Sequence, residues 1–103
     1  MMGTVQVTLA NPDGKVKWEV VTEARLDTGA SRSSLHLYFA DLLDLPIVDE
    51  VIVRNANGKE RREVVRVEVQ TKSGNFEIEA TLADRSALSY GVLLGRDYLE
   101  LLG

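Results

Sequence analysis

The chain has no cysteine, one histidine, two prolines and only 6% aromatic residues in 103 positions. Without cysteine there are no disulfides and no thiolate metal sites. One histidine, His36, and no HExxH segment fall short of the two or three histidines that zinc hydrolases use. No Gly-rich loop closes on a Lys-Ser or Lys-Thr pair, so ATP hydrolysis is not encoded. No cofactor is expected. No apolar run approaches the ~20 residues that span a membrane. The first residues lack the apolar core of a signal peptide, so a soluble, cytoplasmic protein without membrane contacts is expected. Twelve Lys and Arg against sixteen Asp and Glu give a net charge of −4, which provides no global basic field for nucleic acid. No linker or repeat divides residues 1–103, which are read as one domain. A domain of this size buries only about 60–70% of its unfolded surface and gains from oligomerising.

What is there reads as strands and turns. Val5, Val7 and Leu9 alternate with polar residues, and Asn11-Pro12-Asp13-Gly14 is a type I turn signal. Val16, Trp18 and Val20 alternate on an expected return strand that runs through Ala24 and Leu26 to Asp27. Residues 37–45, LYFADLLDL, have mixed helical spacing and are expected to form a short helix closed before Pro46. A second hairpin turns at Asn55-Ala56-Asn57-Gly58, since Asn-Gly is the strongest short turn signal, and a third at Lys72-Ser73-Gly74-Asn75. The chain ends in an apolar strand, Gly95 and a terminal helix from Arg96. Strands of this kind point to a small all-β barrel or sandwich.

One segment stands apart. In LDTGAS, residues 26–31, an apolar strand delivers a single aspartate into the smallest residues available. Asp27 could serve only as the capping residue of an Asx-turn, with Gly29 permitting the bend. The order of features around it says more. A glycine-tipped hairpin follows about thirty residues on, and VLLGR, residues 92–96, runs apolar strand, glycine and helix start.

In this order the segments resemble the aspartic proteases, and specifically their half-length retroviral-type branch, the retropepsins. RLDTGASRSSLH, ERREVVRVEV and EATLADRSALSYGVLLGRDYL are similar to a prokaryotic retropepsin-like peptidase family long labelled ATP-dependent zinc proteases. Asp84-Arg85-Ser86 and Leu93 to Arg96 match its motifs. Ser31 departs from them, standing where a basic residue is usual, as does Arg32, where threonine is usual. The resemblance implies a closed β-barrel with a short C-terminal helix, assembled as a two-fold homodimer. It implies an aspartic endopeptidase in which Asp27 of each subunit forms one dyad. One carboxylate, ionised, takes a proton from water, and its protonated partner donates to the scissile carbonyl. Two carboxylates in contact share one proton, which is why one copy of the motif per chain is enough.

The neighbours take roles from the same resemblance. Thr28 is expected to hydrogen-bond across the dimer axis, or else to be satisfied locally. Gly29 lets a backbone amide approach the carboxylate. Ala30 offers no hydroxyl to Asp27, in keeping with a dyad less adapted to acid. Gly95 and Arg96 are expected to brace the dimer beneath the catalytic loop, Arg96 being otherwise a solvated helix-start residue. Asn57 and Gly58 form the tip of the implied flap. Lys59 and Arg61, alternate residues of a mixed-charge run, either face substrate from the flap or form a solvated edge that blocks aggregation. The family hints at acidic, glutamate-rich peptides as substrates, while the net negative charge opposes their long-range steering. His36 is read as structural. The rival function is a non-catalytic peptide-binding or dimerisation module with the same fold.

Overall fold

A computed structural model describes residues 3–103. The elements are β1 (Thr4–Ala10), β2 (Val20–Leu26), β3 (Ser34–His36), α1 (Leu37–Leu43), β4 (Ile47–Asn55), β5 (Gly58–Thr71), β6 (Gly74–Ala83), β7 (Val92–Leu94) and α2 (Arg96–Leu101). Strands β1, β2, β7, β3, β6 and β5 neighbour one another in that order, and β1 pairs back onto β5 with Leu9 opposite Val69. The sheet thus closes into the expected barrel, which leaves no raw edge within the ring. β4 lies at the end of the strand order and pairs with the first half of β5 as a projecting hairpin. Among the described residues no helix is long and apolar enough to cross a membrane.

Period-two patterning places the core. Val65, Val67 and Val69 of β5 and Val7 and Leu9 of β1 point inward and are essentially buried. α2 closes one end of the barrel through Tyr98, whose ring meets Phe76 edge-on at 5.7 Å and whose hydroxyl lies 3.3 Å from Thr71 Oγ1. The later hairpins follow their turn chemistry. Asn55 pairs with Gly58 at φ 118° and Thr71 with Gly74 at φ 133°, both in the region glycine favours.

The first hairpin departs from expectation. β1 and β2 pair only from Thr4–Arg25 to Leu9–Val20, so Val16 and Trp18 lie in the connection and not on the return strand. The cause is the end of α1. The last four carbonyls of a helix have no partner within it. Here Ala40 O accepts from the Leu45 N–H (3.1 Å) and Asp41 O from the Asp44 N–H (3.4 Å). Leu42 O accepts from the Trp18 indole at 2.8 Å, and Leu43 O from the Asn11 amide at 3.0 Å. The Asn11 amide also donates to Asp44 O at 2.8 Å, where Asp44 turns the chain at φ 49°. The connection is held on the helix end instead of on the sheet. The indole, 59% exposed, serves as a donor more than as apolar surface.

Replacing buried Asn11 by Ala leaves the Leu43 and Asp44 carbonyls without that donor, and about 2 kcal/mol of unfolding free energy should be lost. Denaturant unfolding reads this directly. An unchanged midpoint would show that these carbonyls do not depend on Asn11.

Candidate active site

β2 and β7 run parallel, with Arg25 opposite Leu93 and Leu26 opposite Leu94. β3 lies antiparallel on the other side of β7, with Ser34 opposite Leu93. Residues 27–33 must therefore cross from one flank of β7 to the other, over the point where it turns into α2. The crossing is held from both sides. The Asp27 N–H donates to Leu94 O (2.9 Å) and the Arg96 N–H to Ala30 O (2.8 Å). Asp97 accepts from the Ser33 N–H (3.0 Å) and hydroxyl (2.7 Å), and Ser33 Oγ accepts from the Gly95 N–H (3.1 Å). A Cβ on Gly95 would lie 2.7 Å from Ala30 O and 2.8 Å from Arg32 C, so only glycine lets the two segments touch.

On this seat Asp27 is half-buried, and its Oδ1 accepts the Gly29 N–H at 2.9 Å. A Cβ on Gly29 would stand 3.2 Å from that oxygen. Thr28 and Gly29 are exposed at the apex, and Ala30 is partly covered. Two cavities flank the loop. The larger, about 560 Å³, runs from Gly29–Arg32 and Ser34 to the inner side of the β4–β5 hairpin at Val51, Val53 and Arg62. The smaller, about 350 Å³, is lined by Asp27, Arg25, Arg85 and Leu88–Tyr90. Arg85 and Leu93 line both.

The charge balance of these cavities is lopsided. Arg25, Arg32, Arg62 and Arg85 line them, and Asp27 is the one carboxylate among their described lining residues. Burial, then repulsion from Arg62 and Arg25, lowers the Arg85 guanidinium from its ordinary value. Its Nε donates to Tyr90 O at 2.9 Å, and among the described residues no carboxylate forms an ion pair with it. Ser34 adds a buried hydroxyl with no hydrogen-bond partner, on a residue that lines the larger cavity. Such a group calls for an explanation in a folded protein.

A family described as RimB-like, retropepsin-like aspartic endopeptidase RimB, matches residues 39–102. The chain belongs to that family. The matched span runs from within α1 through α2 and begins after the Asp27 loop. Solved structures extend the likeness in fold to the whole retropepsin-like chain. The EIAV protease complexed with the inhibitor HBY-793 is 21% identical, covers 100% of this chain and 89% of its own, and superposes with a TM-score of 0.69. The simian foamy virus (mac) protease is 16% identical over 97% of this chain and 96% of its own, with a TM-score of 0.67. A retropepsin-like aspartic protease from Rickettsia conorii is 21% identical over 98% and 81%, with a TM-score of 0.58. Among curated proteins, a probable alpha-L-glutamate ligase of Desulfotalea psychrophila is 36% identical over 53 residues, half of this chain. The retropepsin-like chain spans 11% of that relative's length.

The predicted site residues are distributed unevenly in this fold. Asp27, Gly29 and Ala30 border the cavities, and Gly95 lies directly beneath them. Arg96 is exposed, with its backbone N–H on the loop. Asn57 and Gly58 are at the hairpin tip. Lys59 and Arg61 are exposed there, and Arg61 pairs with Glu50 at 3.4 Å. Arg62 lines the cavity instead, opposite Val51, whereas Arg61 sits opposite Ile52 and is drawn to Glu50. Counting back from the Asn55–Gly58 pair gives that register, so the signal was in the turn. Arg25, Ser34 and Arg85 lie in segments the sequence singled out, but nothing in those segments indicated that their side chains line a cavity.

Gly95→Ala should lower unfolding free energy by about 1–3 kcal/mol, since the new methyl meets fixed backbone. Gly29→Ala meets only the free end of the Asp27 carboxylate and should cost clearly less. Equal losses in chemical denaturation would contradict this seating.

Proposed function

We propose that the chain is a homodimeric aspartic endopeptidase in which Asp27 of two subunits forms the dyad. The observation that carries this reading is the position of Asp27. Its carboxylate lines the smaller of two neighbouring cavities, is the one acid among their described lining residues, and is fixed by Gly29 on a loop that crosses the end of β7. Membership in the retropepsin-like family supports pairing that loop with its own copy. Thr28, exposed beside it, is then free to bond across the axis. The dyad activates a water, which adds to the scissile carbonyl. One carboxylate takes the water proton, the other protonates the carbonyl oxygen, and collapse of the tetrahedral adduct releases a carboxylic acid and an amine.

The substrates are proposed to be acidic peptides. Arg25, Arg32 and Arg85 outnumber Asp27 on the cavity walls even with Arg62 paired to Glu60 at 3.2 Å, which leaves the lining locally positive although the chain is net negative. The likeness of half the chain to a probable glutamate ligase agrees with glutamate-rich segments as the target.

Purified protein should cut peptides containing runs of Glu, as read by mass spectrometry of the products, and Asp27→Asn should abolish this. Cleavage by the Asn variant would remove Asp27 from the chemistry. Stable binding of the same peptides without cleavage by wild type would favour the binding-module reading. With one histidine and no cysteine in the chain, hydrolysis should also persist in EDTA and without nucleotide. Loss in EDTA with recovery on adding zinc is the contrary result.

A further inference from the structure

Two sequence motifs are left without a task by the proposed hydrolysis, Leu35-His36 and Asp84-Arg85-Ser86. The fold joins them. β3 lies parallel to β6 with His36 opposite Ala83, so the His36 ring faces the turn that leaves β6. There the Arg85 N–H lies 3.0 Å from His36 Nδ1. That nitrogen must accept, so it carries no proton, and the imidazole is the neutral tautomer with hydrogen on Nε2. Ala83 O, 3.4 Å away, is the weaker contact. Asp84, the acid nearest in sequence to this contact, is occupied elsewhere. Its Oδ1 accepts the Ser86 hydroxyl at 2.6 Å and the Ser86 N–H at 3.0 Å, which holds its carboxyl below the ordinary value.

His36 also holds the far end of this segment. Its own N–H donates to Gly91 O at 2.8 Å. A Cβ on Gly91 would fall 2.7 Å from the Phe39 ring, which meets the His36 ring edge-on at 6.4 Å. Between the two anchors, Leu88 N–H closes a turn on Arg85 O (3.0 Å) and Arg85 Nε reaches Tyr90 O (2.9 Å). The loop is therefore cinched at Arg85 and at Gly91 by one residue. Any residue but proline can supply the backbone bond to Gly91. Only a side chain with an acceptor at the place of Nδ1 can take the Arg85 N–H.

We propose that His36 is a positioning residue. Its bare Nδ1 pins the Arg85 backbone so that the guanidinium is held on the wall of the cavity that Asp27 also lines, where it binds a substrate carboxylate. This rests on the acidic-peptide reading above. Asparagine places an amide oxygen near Nδ1, whereas glutamine places it near Nε2, so the two variants separate acceptor position from polarity and size. Against a Glu-containing peptide and its Gln counterpart, His36→Asn should keep the wild-type preference for Glu. His36→Gln should lose about tenfold of that preference, mainly through KM, and match Arg85→Met. Retention of the preference in His36→Gln would overturn the proposal.

A second measurement does not need activity. The imidazole 15N signals of the wild-type protein should report a bare Nδ1 and a protonated Nε2. The Arg85 Nε–H should exchange slowly in wild type and His36→Asn and quickly in His36→Gln. A protonated Nδ1, or equal exchange in all three, would overturn the proposal whether or not the protein cleaves peptides. If instead the NMR results hold while Glu and Gln peptides are treated alike by wild type, the acidic-substrate reading fails and the positioning of Arg85 stands.

Discussion

The crossing of residues 27–33 over the end of β7 is the constraint on which the rest depends. Two strands that flank β7 are consecutive in the chain, so their connection has to pass over its C-terminal end. A connection that close to other backbone would strand its polar groups. Leu94 O, Ala30 O, Ser33 and Asp97 satisfy them mutually, and the missing side chain at Gly95 makes the room. Strand-to-helix geometry, loop conformation and the placement of Asp27 are thus one solution to one packing problem. A shift in α2 would move the carboxylate.

Around that fixed point the cavity walls carry four arginines and Asp27, and Arg62 is paired with Glu60 at 3.2 Å. Ion pairs elsewhere lie at the surface, such as Arg66 between Asp13 and Glu77 at 3.1 Å each. Such pairs contribute little to stability. Arg85 is different. Burial and like charges destabilise its cation, and no acid among the described residues offsets this. Such an arrangement costs stability in the free protein and would be relieved by an anionic ligand. The buried, unpartnered hydroxyl of Ser34 in the same cleft has the same character.

Most of the barrel was legible because its turns are short and their chemistry is local. Asn57-Gly58 and Ser73-Gly74 specify their own hairpins, and the valines of β5 alternate without interruption. The first connection was misread for the opposite reason. Trp18 fits an alternating strand by composition and Asn11 a turn, but their side chains are engaged by carbonyls at a helix end more than twenty residues away. The Asp27 loop was visible as a motif, and its seat on Gly95 and Arg96 followed in chain order. That Arg25 and Arg85 would share a cleft was not visible. Arg25 follows from a parallel pairing to β7, and Arg85 from a side-chain anchor on β3, neither of which leaves a periodic trace.

The central claim is that each chain holds half of one catalytic dyad. Mixing wild-type chains with an equal amount of Asp27→Asn chains, under conditions where subunits exchange, tests it directly. Random pairing leaves about half of the wild-type chains in mixed dimers, so activity per wild-type chain should fall by about half, and further with excess variant. Activity per wild-type chain that stays constant at every mixing ratio would show a site complete within one chain and would contradict the account.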